Sequence, residues 1–291
     1  MHRYRTAFIS DVHLGSADCQ ADYLLDFLNQ AQFDTLYLVG DIVDLIAMQR
    51  RVHFPDSHQA VIRKLQALVK DGVQVIYTPG NHDDFFRGFC GQQFAGITIE
   101  EKAVHTTADG RSFLVCHGDQ FDQVVRCSPF MLLVGDRAHG FLLRMNRWFN
   151  AWRRFKGRPY WSLAGWIKAR IGKAQAFIRR FELAALVAAE RGHFDGFICG
   201  HIHSAGFRRG KHGLYCNDGD WVEHCTALVE DFQGQLSILH WSEHPSIIAT
   251  EPAEVTHPGG LELPDLPRAF IDQINHCPLP AAEDVRTPRQ A

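Results

Sequence analysis

Five short stretches of the chain carry side chains that bind divalent cations or move protons. They are Asp11-Val12-His13, Gly40-Asp41, Gly80-Asn81-His82-Asp83, His117-Gly118-Asp119 and Gly200-His201-Ile202-His203. Asp, Asn and His together offer oxygen and imidazole ligands without thiolate. That set suits Mn first, with Fe, Zn and Co as alternatives, and disfavours Cu(I). Asn is an uncommon ligand, so an Asn between Gly and His directly after an apolar run directs attention to its partners. Asp41, the carboxylate on the central loop, is the natural bridge between two cations about 3.5–4 Å apart, a recurring device for in-line phosphoryl displacement. Asp11, His13 and His203 would complete one cation site, and Asn81, His117 and His201 the other. His82 is then left without a metal to hold, beside the reacting group, where it can protonate a leaving oxygen or steady phosphoryl charge. Asp44, Asp83 and Asp119 are expected to orient the ligands, or else to cap helices or face solvent.

Each of these residues lies just past a hydrophobic run, which predicts the elements that hold them. Arg5 to Ser10, Thr35 to Val39 and Val73 to Thr78 read as strands. Between them, Tyr23, Leu24, Phe27 and Leu28 in Asp18 to Gln30, and Val61, Leu65 and Leu68 in Ser57 to Lys70, have helical spacing. Strand-helix-strand-helix-strand predicts a layered α/β fold with parallel pairing. Its carboxyl edge is where such sheets place their chemistry. Ile97-Glu101, Ala103-Thr107 and Arg111-Cys116, with the turn signal Asp109-Gly110, read as short antiparallel strands. Asp195-Cys199, Leu214-Cys216, Thr226-Glu230 and Gln235-Trp241 add further strands. Two sheets packed as a sandwich, with helices outside, absorb this inventory.

The chain has 291 residues, 46% hydrophobic and 22% charged, ample for one core and an accessory subdomain. A net charge of -3 supplies no global field for nucleic acid, and no stable nucleic-acid partner is expected. The eight cysteines (19, 90, 116, 127, 199, 216, 225, 277) form no CxxC pair, which predicts a reduced, cytoplasmic set rather than a zinc knuckle or redox motif. Met1 to Ser10 runs into the first strand, so no signal peptide is expected. Nor is a membrane span, since no run of about 18 apolar residues exists.

Residues 128–182 differ in texture. They hold twelve Lys or Arg against Asp136 and Glu182, and eleven aromatics. The spacing of Met145, Trp148 and Trp152 is helical, which predicts a helical cap inserted between core segments 1–127 and 183–241. Its arginines, Arg144 and Arg147 among them, suit a diphosphate clamp. Its Trp148 and Trp152 suit an acyl chain or an anionic bilayer; the plainer alternative is a solvated basic face. Residues 242–291 carry eight of the twelve prolines from Pro245 onward and read as a loose extension, with a short helix over Leu261 to Ile274.

Motif by motif, the five stretches resemble the calcineurin-like metallophosphoesterase superfamily, over roughly Thr6 to Trp241. The resemblance implies a four-layer α-β-β-α sandwich and two divalent ions held by Asp11, His13, Asp41, Asn81, His117, His201 and His203. It also implies hydrolysis by a metal-activated water with His82 assisting. The opening Ile-Ser-Asp-Val-His-Leu-Gly, the cap after His-Gly-Asp, and Asn217-Asp-Gly-Asp-Trp221 are similar to the UDP-2,3-diacylglucosamine pyrophosphatase family of lipid A synthesis. That narrower resemblance implies cleavage to UMP and 2,3-diacylglucosamine 1-phosphate, a nucleotide-sugar lipid substrate, contacts from Asn217 and Asp220, and a peripheral place on the inner membrane. One position departs: the best-known enzymes of that family carry Arg where this chain has His82. Another phosphoester, or a binding module that keeps the metals without chemistry, are the alternatives, and oligomeric state is left open.

Overall fold

The computed structural model describes residues 2–125, 145–163, 172–211 and 213–252. Two sheets face each other. The larger has the strand order β13-β12-β11-β1-β2-β3-β5-β4, built from β1 (His2–Ile9), β2 (Ala31–Leu38), β3 (Gln74–Tyr77), β4 (Gln93–Phe94), β5 (Ile97–Ile99), β11 (Thr226–Glu230), β12 (Leu236–His240) and β13 (Ser246–Thr250). The smaller has the order β6-β7-β8-β10-β9, from β6 (Ala103–Thr106), β7 (Ser112–Val115), β8 (Gly196–Cys199), β9 (Gly206–Arg209) and β10 (Leu214–Asn217). Strands β1, β2, β3 and β5 run parallel, as do β7, β8 and β10.

Successive side chains of a strand point to opposite faces, and this alternation builds two cores at once. Ala7, Ile9, Leu36, Leu38, Val75 and Tyr77 point outward to helices α1 (Ala21–Gln30) and α3 (Asp56–Lys70). Phe8, Tyr37, Val39 and Ile76, one position along, point inward to Phe113, Val115 and Ile198 of the second sheet. Strands buried on both faces need continuous apolar runs, and those runs are what made them legible. Between α1 and α3 lies the expected stripe contact: Leu24, Phe27 and Leu28 of one, Val61, Leu65 and Leu68 of the other, all buried. Each fully buried Leu or Phe stabilises by roughly 1.5–3 kcal/mol.

A short helix α2 (Leu45–Arg50) starts at Asp44, which caps it by accepting from the Ala47 amide at 2.7 Å. Helix α4 (Asp122–Val125) follows the His117 loop; α5 covers residues 145–155; α6 (Gly172–Arg191) packs Phe181, Ala184, Ala185 and Ala188 on the second sheet. Helices outside, two sheets inside: the α-β-β-α order is as expected.

Three expectations are corrected. Ile97-Glu101 does not pair with the antiparallel strands after it: β5 lies parallel to β3 in the larger sheet, because Ile99 belongs to the core under α1 and α3. The cap's end at 182 falls inside α6, whose small residues need the second sheet to bury them. The extension does not begin at 242, since β13 pairs with β12 and continues the sheet to Thr250. The helix expected over Leu261 to Ile274 lies outside the described residues.

Candidate metal centre

The site sits where β1, β2, β3, β7 and β8 end at one edge. Non-glycine residues rarely adopt positive φ, yet Asp11, His13, Asp41, His201 and His203 all do, at φ of 50 to 67°. Such conformations persist only where surrounding structure over-determines them. Here the loops hold one another: the amides of Asp11, His13 and Leu14 donate to the carbonyls of Gly40, Asp41 and Ile42 at 2.9–3.0 Å. Gly80 and Gly200 admit no side chain, since a Cβ at the first would collide with Asp41 and at the second with Ser10 and Asp11.

Three ligand clusters result, each with its atoms within 4.8 Å of one another: Asp11, His13 and His203; His13, Asp41 and His82; Asp11, Asp41 and His117. Asp11 and Asp41 are shared, which is the arrangement two adjacent cations need. Asp41 Oδ2 lies 3.7 Å from His13 Nε2, 3.4 Å from His117 Nε2 and 4.0 Å from His82 Nε2. His203 Nε2 lies 3.1 Å from Asp11 Oδ1. Asn81 Oδ1 and His117 Nε2 are buried with no hydrogen-bond partner. Buried polar atoms are nearly always paired, and a cation is the partner that these two acceptors fit.

The other imidazole nitrogens set the tautomers. His117 Nδ1 donates to the Val39 carbonyl at 2.9 Å, so its Nε2 keeps a lone pair turned to Asp41. Asp44 accepts from His13 Nδ1 at 3.1 Å and from His82 Nδ1 at 2.9 Å, so one carboxylate aims both rings. Asp83 accepts from the amides of Gly80 (2.6 Å) and Ile42 (2.7 Å), joining two ligand loops. Asp119 instead takes a two-pronged ion pair from Arg87 Nη2 at 2.8 and 2.7 Å, which braces the His117 loop against residues following Asn81.

Burial disfavours charge on every group here, yet mutual attraction prevails. Against burial, the imidazoles around it, His117 foremost, hold Asp41 well below the usual carboxylate range. His203, by its charge and hydrogen bond, lowers Asp11 against the same burial. His13 rises to about 9 despite its burial, through the Asp44 hydrogen bond and the charges of Asp41 and Asp11. Asp83 is pushed up by burial and by Asp41. Asp218 is driven well above the ordinary range by burial. Ser10 Oγ lies 2.6 Å from both Asp11 Oδ2 and Asp218 Oδ1, and its one hydrogen is shared between the two carboxyl groups.

His201 stands outside the three clusters. Its amide donates to Asp11 Oδ2 at 2.8 Å and its Nε2 meets Asp122 Oδ1 at 2.7 Å, with its ring beside that of His117. Asp122 was missed in the sequence; the signal was a second acid three residues past Asp119. Asn217 and Asp220, expected to touch substrate, are fully buried. Asn217 Nδ2 donates to the Gly200 carbonyl at 2.7 Å, and Asp220 accepts from the Val222 amide and from the His224 ring. With the Trp221 amide on the Asp11 carbonyl, this segment braces two ligand loops from beneath. Arg144 lies outside the described residues. Arg147 pairs with Asp18 at 2.9 Å, while Trp148 and Trp152 are exposed on α5.

A UDP-2,3-diacylglucosamine hydrolase of Xanthomonas campestris pv. campestris (strain B100) is 33% identical over 117 residues, 39% of this chain and 46% of that protein. One of Cellvibrio japonicus (strain Ueda107) is 36% identical over 118 residues, 39% and 48% of the two chains. The match thus spans less than half the length of these relatives. Among solved structures, the Yfce phosphoesterase from E. coli aligns at 15% identity and a TM-score of 0.43, covering 84% of this chain and 97% of that one. A dimetal phosphatase from Danio rerio aligns at 14% and 0.39, covering 84% and 98%. The profile of the calcineurin-like phosphoesterase family matches residues 4–205, most of the chain and all five ligand stretches, and the protein belongs to that family.

Proposed function

We propose that this protein is a two-metal phosphoester hydrolase whose substrate is a diphosphate-linked, acylated nucleotide sugar of the UDP-2,3-diacylglucosamine type. One observation carries the hydrolytic reading: three candidate ligand clusters are linked through Asp11, His13 and Asp41, each of which belongs to two of them, beside two buried acceptor atoms without partners. In the proposal, Asp11, His13, Asp41 and His203 hold one cation, and Asp41, Asn81 and His117 the other, with His201 next to it. When bound, such a pair of cations polarises the phosphoryl group and makes water acidic enough to attack at neutral pH.

The chain's own residues do the rest. Asp44 fixes the His13 ring and turns His82 Nε2 towards the cluster. In the proposal His82, partly exposed at the rim, gives a proton to the leaving oxygen. Beside His203 opens a cavity of about 270 Å³, with Tyr160, Ile178, Ile202 and Ile248 as apolar wall and Ser162 and His224 as polar wall. Mixed walls of this kind suit the organic part of an amphiphilic phosphoester. The substrate class is supported by the curated relatives above, which are named for hydrolysis of that compound.

The test is release of UMP from UDP-2,3-diacylglucosamine by the Mn-loaded protein, with bis-p-nitrophenyl phosphate as the substrate-neutral control. Cleavage of both supports the whole proposal, and cleavage of the control alone rejects the substrate. Failure on both rejects the chemistry. His82→Ala should keep its metal content and lose about 10²-fold or more in turnover, the scale of a positioned proton donor. Unchanged turnover removes that role.

A further inference from the structure

Beside His203 stands a histidine, His224, that belongs to none of the three ligand clusters. It is held by Asp220, which is fully buried and commits both oxygens to one turn. Asp220 Oδ1 accepts from the amides of Val222, Glu223 and His224, and Oδ2 from His224 Nδ1 at 2.5 Å. The same Oδ2 lies 3.9 Å from His203 Nδ1, so one carboxylate backs two imidazoles. Cys225, next in the chain, has a φ of 53°, a conformation that persists only where its surroundings fix it. Its carbonyl accepts from the Trp241 amide at 2.8 Å. The His224 ring is thus fixed through side chain and backbone together. Its Nδ1 turns to Asp220, which puts Nε2 on the opposite side of a ring that lines the cavity of about 270 Å³.

The walls of that cavity are rich in neutral hydrogen-bonding groups. Ser162, Gln175, Ser204, Thr226, His224 and His240 all line it. Hydroxyls, amides and neutral imidazoles both donate and accept. Burial first, and then the neighbouring His224, hold His240 below an ordinary histidine, so its ring stays neutral. Glu223 lines the cavity too, and among the described residues no Lys or Arg does. A second phosphoryl group would meet that carboxylate with no long cationic side chain to offset it. An acyl chain would leave the polar wall buried and unpaired, which is unfavourable. A sugar ring suits both walls: its hydroxyls match the polar groups, and its C–H faces match Tyr160 and the isoleucines.

We propose that this cavity is a subsite for a hydroxyl-bearing sugar ring, and that His224 Nε2 shares a hydrogen bond with one of its hydroxyls. The subsite rests on the hydrolase reading: with a phosphoryl group on the cations, its ester group extends past His203 into the cavity. Asp220 is then a positioning residue, and His224 decides specificity.

Calorimetric titration of the Mn-loaded full chain with α-D-glucose 1-phosphate, methyl phosphate and hexyl phosphate tests it. The glucosyl ester should bind about tenfold more tightly than the methyl ester, the scale of one or two net hydrogen bonds, and more tightly than the hexyl ester. The ratio of affinities cancels any general damage to the cation centre. His224→Phe should lower the glucosyl-to-methyl ratio by about fivefold, and His224→Gln, whose amide keeps a polar group there, should restore part of it. Gln175→Ala, on α6 and away from the Asp220 turn, should lower the ratio by about threefold; it serves where His224→Phe does not fold. Equal affinities for the glucosyl and methyl esters in wild type, tighter binding of the hexyl ester, or a ratio unmoved in the folded variants would each overturn the subsite and leave the two-metal reading standing. Failure of all three esters to bind would overturn the cation centre, and the subsite with it.

Discussion

Asp44 shows how much of the centre depends on a residue that holds no cation in the proposal. It receives the Nδ1 hydrogens of His13 and His82 and caps α2 through the Ala47 amide. Asp44→Ala should weaken Mn binding by about 10- to 100-fold, as loss of a ligand's orienting partner does elsewhere, read by calorimetric titration. It should also cost about 1 kcal/mol of stability from the lost cap. His13 supplies a pH prediction. Its value of about 9 means that the ring is protonated at neutral pH, whereas a ligand nitrogen must be bare. Mn binding should therefore release protons and tighten as pH rises towards 9. Calorimetry at pH 7.5 in two buffers of different ionisation enthalpy checks this; identical apparent enthalpies would mean that no proton leaves.

At the scale of elements, the two sheets are joined by more than apolar contact. Glu230 of β11 is buried and accepts from Arg5 Nη1 and Thr6 Oγ1 of β1, from His105 Nε2 of β6, and from the Ala108 amide. Burial opposes its charge, but the His105 and Thr6 hydrogen bonds hold it below the 4.5 of a free Glu. A depressed carboxyl stabilises the fold above the unfolded value and loses that contribution as pH falls through the folded one. Glu230→Ala should cost roughly 3 kcal/mol at pH 7, the scale of breaking a buried pair. As pH falls below 4.5 and through its lower folded value, the deficit against wild type should shrink. Denaturant midpoints across pH measure both. A deficit independent of pH would assign the loss to packing alone.

For the whole molecule, the proposed ligands come from positions 11 to 203 of the chain, which would couple cation binding to folding. Anything that binds only the folded state raises its stability by mass action. The melting temperature of wild type should climb with Mn concentration and fall on chelation, and Asp41→Ala, lacking the shared carboxylate, should show neither. Retention of two Mn equivalents by that variant would refute the bridge. Among the described residues no helix is long and apolar enough to cross a membrane.

Local sequence was enough for the candidate ligand types, the strand-loop order that carries them and the helices α1 and α3, because apolar periodicity and loop chemistry are written within ten or so neighbouring residues. The pairing of β5 with β3, the Arg87–Asp119 brace, the Asp122 partner of His201 and the burial of Asn217 and Asp220 were decided only by tertiary structure. Each depends on which distant group fills the other side of a contact: the sequence makes Asp44 an orienting acid, but that it serves His13, 31 residues before it, and His82, 38 after, is visible only in the fold. Helix α5 is the sharpest case, with Asn146 and Asn150 buried and Trp148, Trp152 and Phe155 exposed. Its spacing announced a helix, but which face would be buried was settled by Tyr160, Trp161 and Leu163, whose backbone and hydroxyl hydrogen bonds to the two asparagines outweighed the pull of three aromatic rings.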